Sequence, residues 1–320
     1  MPYSKQPDRL NLLADIAEMY FLEGKNQAEI SKIVGVTRSN ISRMLTEARI
    51  AGIVDIQITR PINEDHNLAQ ALIKKFNLTN ARVVHIEHTA DLLDKLGKVA
   101  ADELVQRIKP GWIIGTSWGT AISATVDNIV VENPIPHLKA TQFLGAFGAR
   151  IKAYDGHGIV HRLEDLLDAE GIYINAPFLV ENKTIAESLL NNKSIKESLG
   201  ISKMADIALL GVGSSELNYS SYYLADYVTH KDIIAIQKTG AIGDVCGRFF
   251  TIDGKITADE FQERLIGISV RDLKQIPIRI GVAGGAEKVK PIIGALRGGL
   301  INVLISDSAT ITEVIKLTEL

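Results

Sequence analysis

The sequence predicts an α/β protein: a small helical module at the N-terminus, then a larger body in which strands and helices alternate. Three observations lead there. Beyond residue 80, apolar runs of strand length recur between amphipathic stretches, the pattern of a mainly parallel sheet covered on both faces. Before residue 60, apolar residues recur instead at three- and four-residue steps, interrupted by single glycines. The length of 320 residues suggests about two domains. Pro61 and the polar run INEDHN mark a linker and place the boundary, giving residues 1–60 and 61–320.

In the first module, residues 8–22 predict a helix with Leu10, Leu13, Ala17 and Tyr20/Phe21 on one face, ended by Gly24. Asn26, with Glu29 three residues on, has the spacing of a capping box and opens a short helix to Ile33. Gly35 breaks it. Thr37 can cap a third helix that runs to about Ile50, with Gly52 as its stop. IVDIQITR then alternates as a half-buried strand. Ile30, Ile33, Val36, Ile41 and Leu45 are expected to form the shared core.

Helix, short helix, glycine turn, helix, strand is the order of a winged helix-turn-helix. Its third helix offers N-terminal residues to base edges in the major groove. Here these are Arg38, Ser39, Asn40, Ser42 and Arg43, with Thr37 and Gln27 beside them. Arginine suits guanine and asparagine suits adenine, because each can bond bidentately, and hydroxyls can reach phosphates. Lys25, Lys32, Arg38, Arg43 and Arg49 face only Glu29 and Glu47 between residues 25 and 49, a local basic footprint on a chain of net charge -3. DNA is the expected partner.

In the body, ARVVHIE (81–87), WIIGTS (112–117), KATQFLG (139–145), DIALLGVG (206–213), DIIAIQ (232–237), IRIGVAGG (278–285) and INVLISD (301–307) predict strands. Leu92–Ile108, Ile159–Asp168 and Ala286–Arg297 predict helices between them. A helix near Leu68–Phe76 and residues 8–22 are candidate oligomer contacts by apolar periodicity.

Several strands end in glycine. GTSWGT, from Gly115 through Thr116, Ser117, Trp118 and Gly119 to Thr120, links a strand to a helix start, a geometry that favours an anion. Gly145 with Gly148, Gly211 with Gly213, and Gly284 with Gly285 end three more. In open α/β sheets ligands bind beyond the carboxyl ends of the strands, so one crevice is expected. Asp244 and Lys288 stand beside these glycines; a carboxylate can accept from sugar hydroxyls and a lysine can hold a phosphate. The loops lack a P-loop Gly-Lys-Ser/Thr and a dinucleotide fingerprint.

Other constellations point nowhere further. His157 and His161 have the four-residue spacing of two metal ligands but no third at a convincing distance, so no metal or cofactor is expected. No carboxylate pair can be argued as acid and base from spacing alone. Cys246, the single cysteine, excludes an internal disulfide, fits a reducing cytoplasmic setting, and reads as a small hydrophobe near the crevice. Hydrophobic residues at 46% and charged residues at 23% are the mix of a globular protein, which excludes disordered and collagen-like chains. The polar start MPYSKQPDRL has no signal-peptide core, and no apolar run reaches the ~18 residues of a membrane span.

The order of the motifs GKNQAEISKIVGVTRSNISRMLTEARIAGIVDI, GTSWGTAIS, NAPFLV, ADIALLGVGS, GAIGDVCGRFF and AGGAEKVKPIIGALRGGLINVLISD resembles the SorC family of bacterial transcriptional regulators, the sorbitol/sorbose-operon type. The resemblance covers nearly the whole chain. It implies an effector domain similar in fold to ribose-phosphate isomerase and glucosamine-phosphate deaminase, in a homo-oligomer, often a tetramer, that binds an operator. It implies a sugar, polyol or sugar-phosphate effector that is bound and not turned over, with Gly115–Thr120, Asp244 and Lys288 lining its pocket. The sequence departs at LGAFG, where Ala146 replaces part of a Gly-Gly pair, and at Thr251 after GRFF, where an acidic residue is common. The rival expectation is an isomerase or deaminase acting on a sugar phosphate.

Overall fold

The computed structural model describes residues 6–55, 62–146, 154–257 and 260–319. The chain divides into two compact units, Met1–Pro61 and Ile62–Leu320.

Among the described residues the first unit holds three helices, α1 (Gln6–Phe21), α2 (Gln27–Val34) and α3 (Arg38–Ile50). The Asn26 side chain accepts the N–H groups of Ala28 and Glu29, and Glu29 accepts that of Asn26, so the capping box is complete. Gly35, at φ 76°, lies in the left-handed region that favours glycine and ends α2. Thr37 caps α3 through the Asn40 N–H. Leu13, Ile16, Ala17, Ile30, Ile41, Met44, Leu45 and Ala48 form the core. Ile33 is no part of it: it stays 60% exposed, on the outer side of a helix of only 8 residues. The strand expected at 53–60 falls largely on residues 56–60, outside the described residues, and Ile53–Asp55 do not form one.

The second unit opens with α4 (His66–Phe76), β1 (Asn80–Val84), α5 (Leu92–Val105), β2 (Ile113–Thr116), α6 (Thr120–Asp127), β3 (Lys139–Gln142), α7 (Gly156–Leu167) and β4 (Glu170–Ile172). Next come α8 (Lys183–Asn191), α9 (Lys193–Ser202), β5 (Ile207–Gly211), β6 (Gly213–Ser214), α10 (Ser221–Leu224), α11 (His230–Lys238), β7 (Gly243–Val245) and β8 (Arg248–Phe250). The chain closes with α12 (Glu260–Glu263), α13 (Val270–Gln275), β9 (Ile278–Val282), α14 (Val289–Arg297), β10 (Val303–Asp307) and α15 (Ser308–Glu319).

Seven strands make one parallel sheet in the order β1-β10-β9-β5-β2-β3-β4; β6, β7 and β8 make a small antiparallel sheet. Alternate side chains serve two cores. Ile207 and Leu209 of β5 enter one, and Ala208 and Leu210 the other, as a sheet covered on both faces requires. From β2 the chain runs outward to β3 and β4; from β5 it runs the other way to β9 and β10. The order therefore reverses between β2 and β5, and this reversal is where such sheets open a crevice.

Three expectations change. DIIAIQ is helix α11, not a strand: Thr229 and Asp232 form a capping box, and Ile233 and Ile236 are buried three residues apart. The run after Pro61 is not a free linker. Glu64 bridges Val84 antiparallel, His85 donates to the Asn63 carbonyl, and Asp65 donates to the Val83 carbonyl and caps α4. The Arg82 guanidinium holds the Glu64 carboxylate through two hydrogen bonds. Finally, Ala69 and Leu72 of α4 are buried in the unit's own core, so these two are taken up within the chain, while Leu68, Ile73 and Phe76 stay partly exposed.

Candidate functional site

A cavity of about 460 Å³ lies beyond the carboxyl ends of β2, β5 and β9. Of the residues expected there, Ser117, Trp118, Gly119, Thr120, Gly213, Asp244 and Lys288 line it.

Two loops build its sides. After β2, the Ser117 hydroxyl accepts the Gly211 N–H at 3.0 Å, tying the loop to β5. Gly119, at φ 125°, turns the chain into α6, and among the described residues no side chain caps that helix. Its first turn therefore faces the cavity with uncapped N–H groups and without an acidic residue. After β9, Gly285, at φ 106°, starts the 3₁₀ turn Ala286–Lys288 that leads into α14. A third helical start, Thr89 and Ala90 ahead of α5, adds another wall and is also uncapped.

The small sheet supplies the floor. Gly213 pairs with Asp244, and a Cβ on Gly213 would fall 2.0 Å from Asp244 Oδ1, so only glycine admits the carboxylate there. The Tyr222 hydroxyl and the Gly247 N–H donate to Asp244 Oδ2 at 2.8 and 3.0 Å. Burial pushes the Asp244 carboxyl above its ordinary range, against the pull of those two donors and of Lys288. Burial pushes the Lys288 ammonium down, opposed by Glu287 and Asp244. The Lys288 ammonium forms no side-chain hydrogen bond or ion pair among the described residues, and its side chain lines the cavity within the field of Glu287 and Asp244. Trp118 stands edge-on to Tyr222 at 5.3 Å and donates to its hydroxyl.

Three expected residues are not in the wall. Gly115 packs under Phe143, whose ring would lie 2.0 Å from a Cβ. Thr116 is fully buried, and its hydroxyl donates to the Ser117 carbonyl. Gly145 is pinned beneath the carbonyls of Ala176 and Pro177, because the chain crosses the end of β3 there and closes it. Gly148 lies outside the described residues. Cys246 lines the floor, and burial raises its thiol pKa, which leaves it an unreactive small side chain.

Residue reasoning missed Tyr222, Tyr219, Thr89 and Glu287. A signal existed for the tyrosines: Tyr219, Tyr222, Tyr223 and Tyr227 crowd into one short stretch of a chain with 8 tyrosines.

In the N-terminal unit, Thr37, Arg38, Ser39, Asn40, Ser42 and Arg43 are all exposed, and Gln27 is half-buried at the start of α2. Arg38 and Arg43 form no ion pair among the described residues, whereas Arg9 is engaged by Glu47. The exposed start of α3 is thus polar and cationic. Among the described residues no group of three or more histidine, cysteine or carboxylate side chains could hold a metal, and no helix is long and apolar enough to cross a membrane.

Residues 60–316 match the family model "Putative sugar-binding domain". The chain is similar to the Sorbitol operon regulator of Klebsiella pneumoniae, 28% identical over 97% of this chain and 99% of that one. It is likewise similar to the Transcriptional regulator LsrR of Escherichia coli K12, 28% identical over 95% and 94% of the two chains. Among solved structures, the full-length sorbitol operon regulator SorC from Klebsiella pneumoniae matches with a TM-score of 0.72 at 28% identity, covering 95% of this chain and 98% of that one. A transcriptional regulator from Streptococcus pneumoniae matches with a TM-score of 0.74 at 29% identity, covering 79% and 97%. Fold, cavity and these matches agree: the chain belongs to the sugar-binding-domain family and is a SorC-type transcriptional regulator.

Proposed function

We propose that this regulator binds the operator of a carbohydrate-utilisation operon through the start of α3, and that a sugar, polyol or sugar-phosphate effector in the cavity controls that binding. The two parts, residues 1–60 and 61–320, read DNA and effector respectively. The observation that carries the reading is the cavity itself. Uncapped helical starts and the Lys288 ammonium supply positive potential for a phosphate, while Asp244 accepts from hydroxyls.

The mechanism is linkage. An effector shifts the regulator only through a difference in affinity between two arrangements. In a cytoplasmic homo-oligomer such as a tetramer, paired DNA heads must meet two half-sites together, so a small rotation changes avidity. Leu10, Tyr20, Phe21 and Leu22 leave apolar surface exposed on and just after α1, which suits contact between copies.

The rival isomerase or deaminase reading is not adopted, because the relatives that match over nearly the whole chain are regulators. Operator-fragment anisotropy combined with a thermal-shift panel of free and phosphorylated sugars tests the proposal. A compound that raises the midpoint and changes DNA affinity supports it. Turnover of that compound, or stabilisation without any change in DNA affinity, overturns it.

A further inference from the structure

We infer that Glu287 restricts the effector to one phosphate and turns the hydroxyl-bearing end of the molecule toward β9; this rests on the effector reading above. The two sides of the cavity differ in a way their glycine loops do not reveal. At the start of α6 there is, among the described residues, no side-chain cap, and the first turn holds no acidic residue. At the Gly284–Gly285 side, two carboxylates already occupy the helical start. Asp307 accepts the Gly285 N–H at 3.0 Å from behind, and Thr310 accepts it at 2.8 Å. Glu287, in the first turn, folds its carboxylate forward over Gly285, within about 3 Å of where a Cβ would stand. That is where a bound anion would sit, and Glu287 is the anion.

The charge balance agrees. Among the described residues lining the cavity, the ionisable side chains of neutral-pH charge are Asp244 and Glu287 against the single cation Lys288. Lys288 feels both carboxylates, so its charge is already shared with them. Glu287 accepts no hydrogen bond from the protein among the described residues. An ionised carboxylate only accepts, so the part of the ligand facing it must donate, as hydroxyls do and a phosphate dianion does not. The starts of α6 and of the Ala286 turn follow strands separated by one strand, β5, hence about 10 Å apart. A molecule with phosphate at one end and hydroxyls at the other meets both; a bisphosphate sets its second phosphate against Glu287.

The test compares matched ligands on the full-length protein by titration calorimetry, supported by thermal shift. Fructose 6-phosphate, glucose 6-phosphate and sorbitol 6-phosphate are set against fructose 1,6-bisphosphate and glucose 1,6-bisphosphate, on wild type and on Glu287→Gln. The side chain is partly exposed, and the variant keeps its shape; its unliganded melting midpoint verifies folding. In the wild type the preferred monophosphate binds at least about tenfold tighter than its bisphosphate, and Glu287→Gln removes most of that gap by strengthening the bisphosphate. A wild type that takes a bisphosphate equally well, or a gap that survives in Glu287→Gln, overturns the inference and leaves the effector reading standing. Binding of none of these compounds overturns the phosphate assignment and the inference with it.

Discussion

The hydroxyl of Tyr222 donates to Oδ2 of Asp244 at 2.8 Å, joining a short helix at the cavity edge to the strand that forms its floor. Both side chains are buried, and Trp118 and the Gly247 N–H complete the chain of donors around them. The pair links the loop after β2, the α10 segment and the small sheet, so disturbing it reaches one side of the site and its floor.

Tyr222→Phe tests this link. Burial already holds the Asp244 carboxyl above its ordinary range, and loss of the hydroxyl raises it further. A carboxyl whose folded pKa is raised contributes stability that is full below the unfolded value of about 3.9 and lost as pH rises through the folded value. The variant is therefore expected to lose about 1–3 kcal/mol at neutral pH. The loss shrinks as the solution is made acid. Urea unfolding at the two pH values measures it, and an equal loss at both would show that the bond is not made to an ionised carboxylate.

Lys288→Met separates binding from stability. Burial disfavours the ammonium, so the unliganded variant should melt no lower than the wild type. Its affinity for a phosphorylated effector should fall by about 1.5–3 kcal/mol, the worth of a hydrogen bond to a charged group. In the wild type an anionic ligand restores the ammonium, so binding takes up a proton above the depressed Lys288 value, and affinity falls as pH rises through it. Calorimetry in two buffers of different ionisation enthalpy reads that proton.

Gly115→Ala distinguishes a packing glycine from a binding one. Its Cβ would meet the Phe143 ring at 2.0 Å, an overpacking that costs about 1–3 kcal/mol. The melting midpoint should drop while effector affinity at low temperature stays unchanged, since Gly115 does not line the cavity. Loss of affinity with an unchanged midpoint would return this residue to the site.

Arg38→Ala and Arg43→Ala should each weaken operator binding, by about 1–3 kcal/mol where the lost contact is bidentate to a base. Wild-type affinity should fall steeply with salt as phosphate contacts release counterions. Anisotropy across a salt series checks both; a flat dependence would remove DNA as the partner of α3.

What was legible followed the range of the interaction that decides each element. The Asn26–Glu29 box and the Thr37 cap involve neighbours in sequence, and they stand where the spacing put them. Six of the seven expected strands lie in the parallel sheet, because apolar runs bounded by glycine suit a sheet buried on both faces. DIIAIQ misled because an apolar run of that length fits either a strand or a helix; the deciding signal was Thr229–Asp232 just upstream. β4, β7 and β8 are three residues each, and tertiary pairing makes them strands. The cavity loops could be found from Gly119, Gly213, Asp244 and Lys288, but glycines that line a cavity and glycines that make room for packing look alike in one dimension, as Gly115 and Gly145 show.

The segment at residues 62–65 has a consequence for aggregation. β1 is an outer strand of the seven-stranded sheet, and its free edge would present a row of unpaired amides and carbonyls to any second chain. The Asn63–Asp65 backbone and the Glu64–Arg82 pair cover part of that row. A proteolytic cut before Ile62 leaves the cover in place, whereas a cut just before α4 strips it off and uncovers an edge that can recruit its own copies into insoluble assemblies.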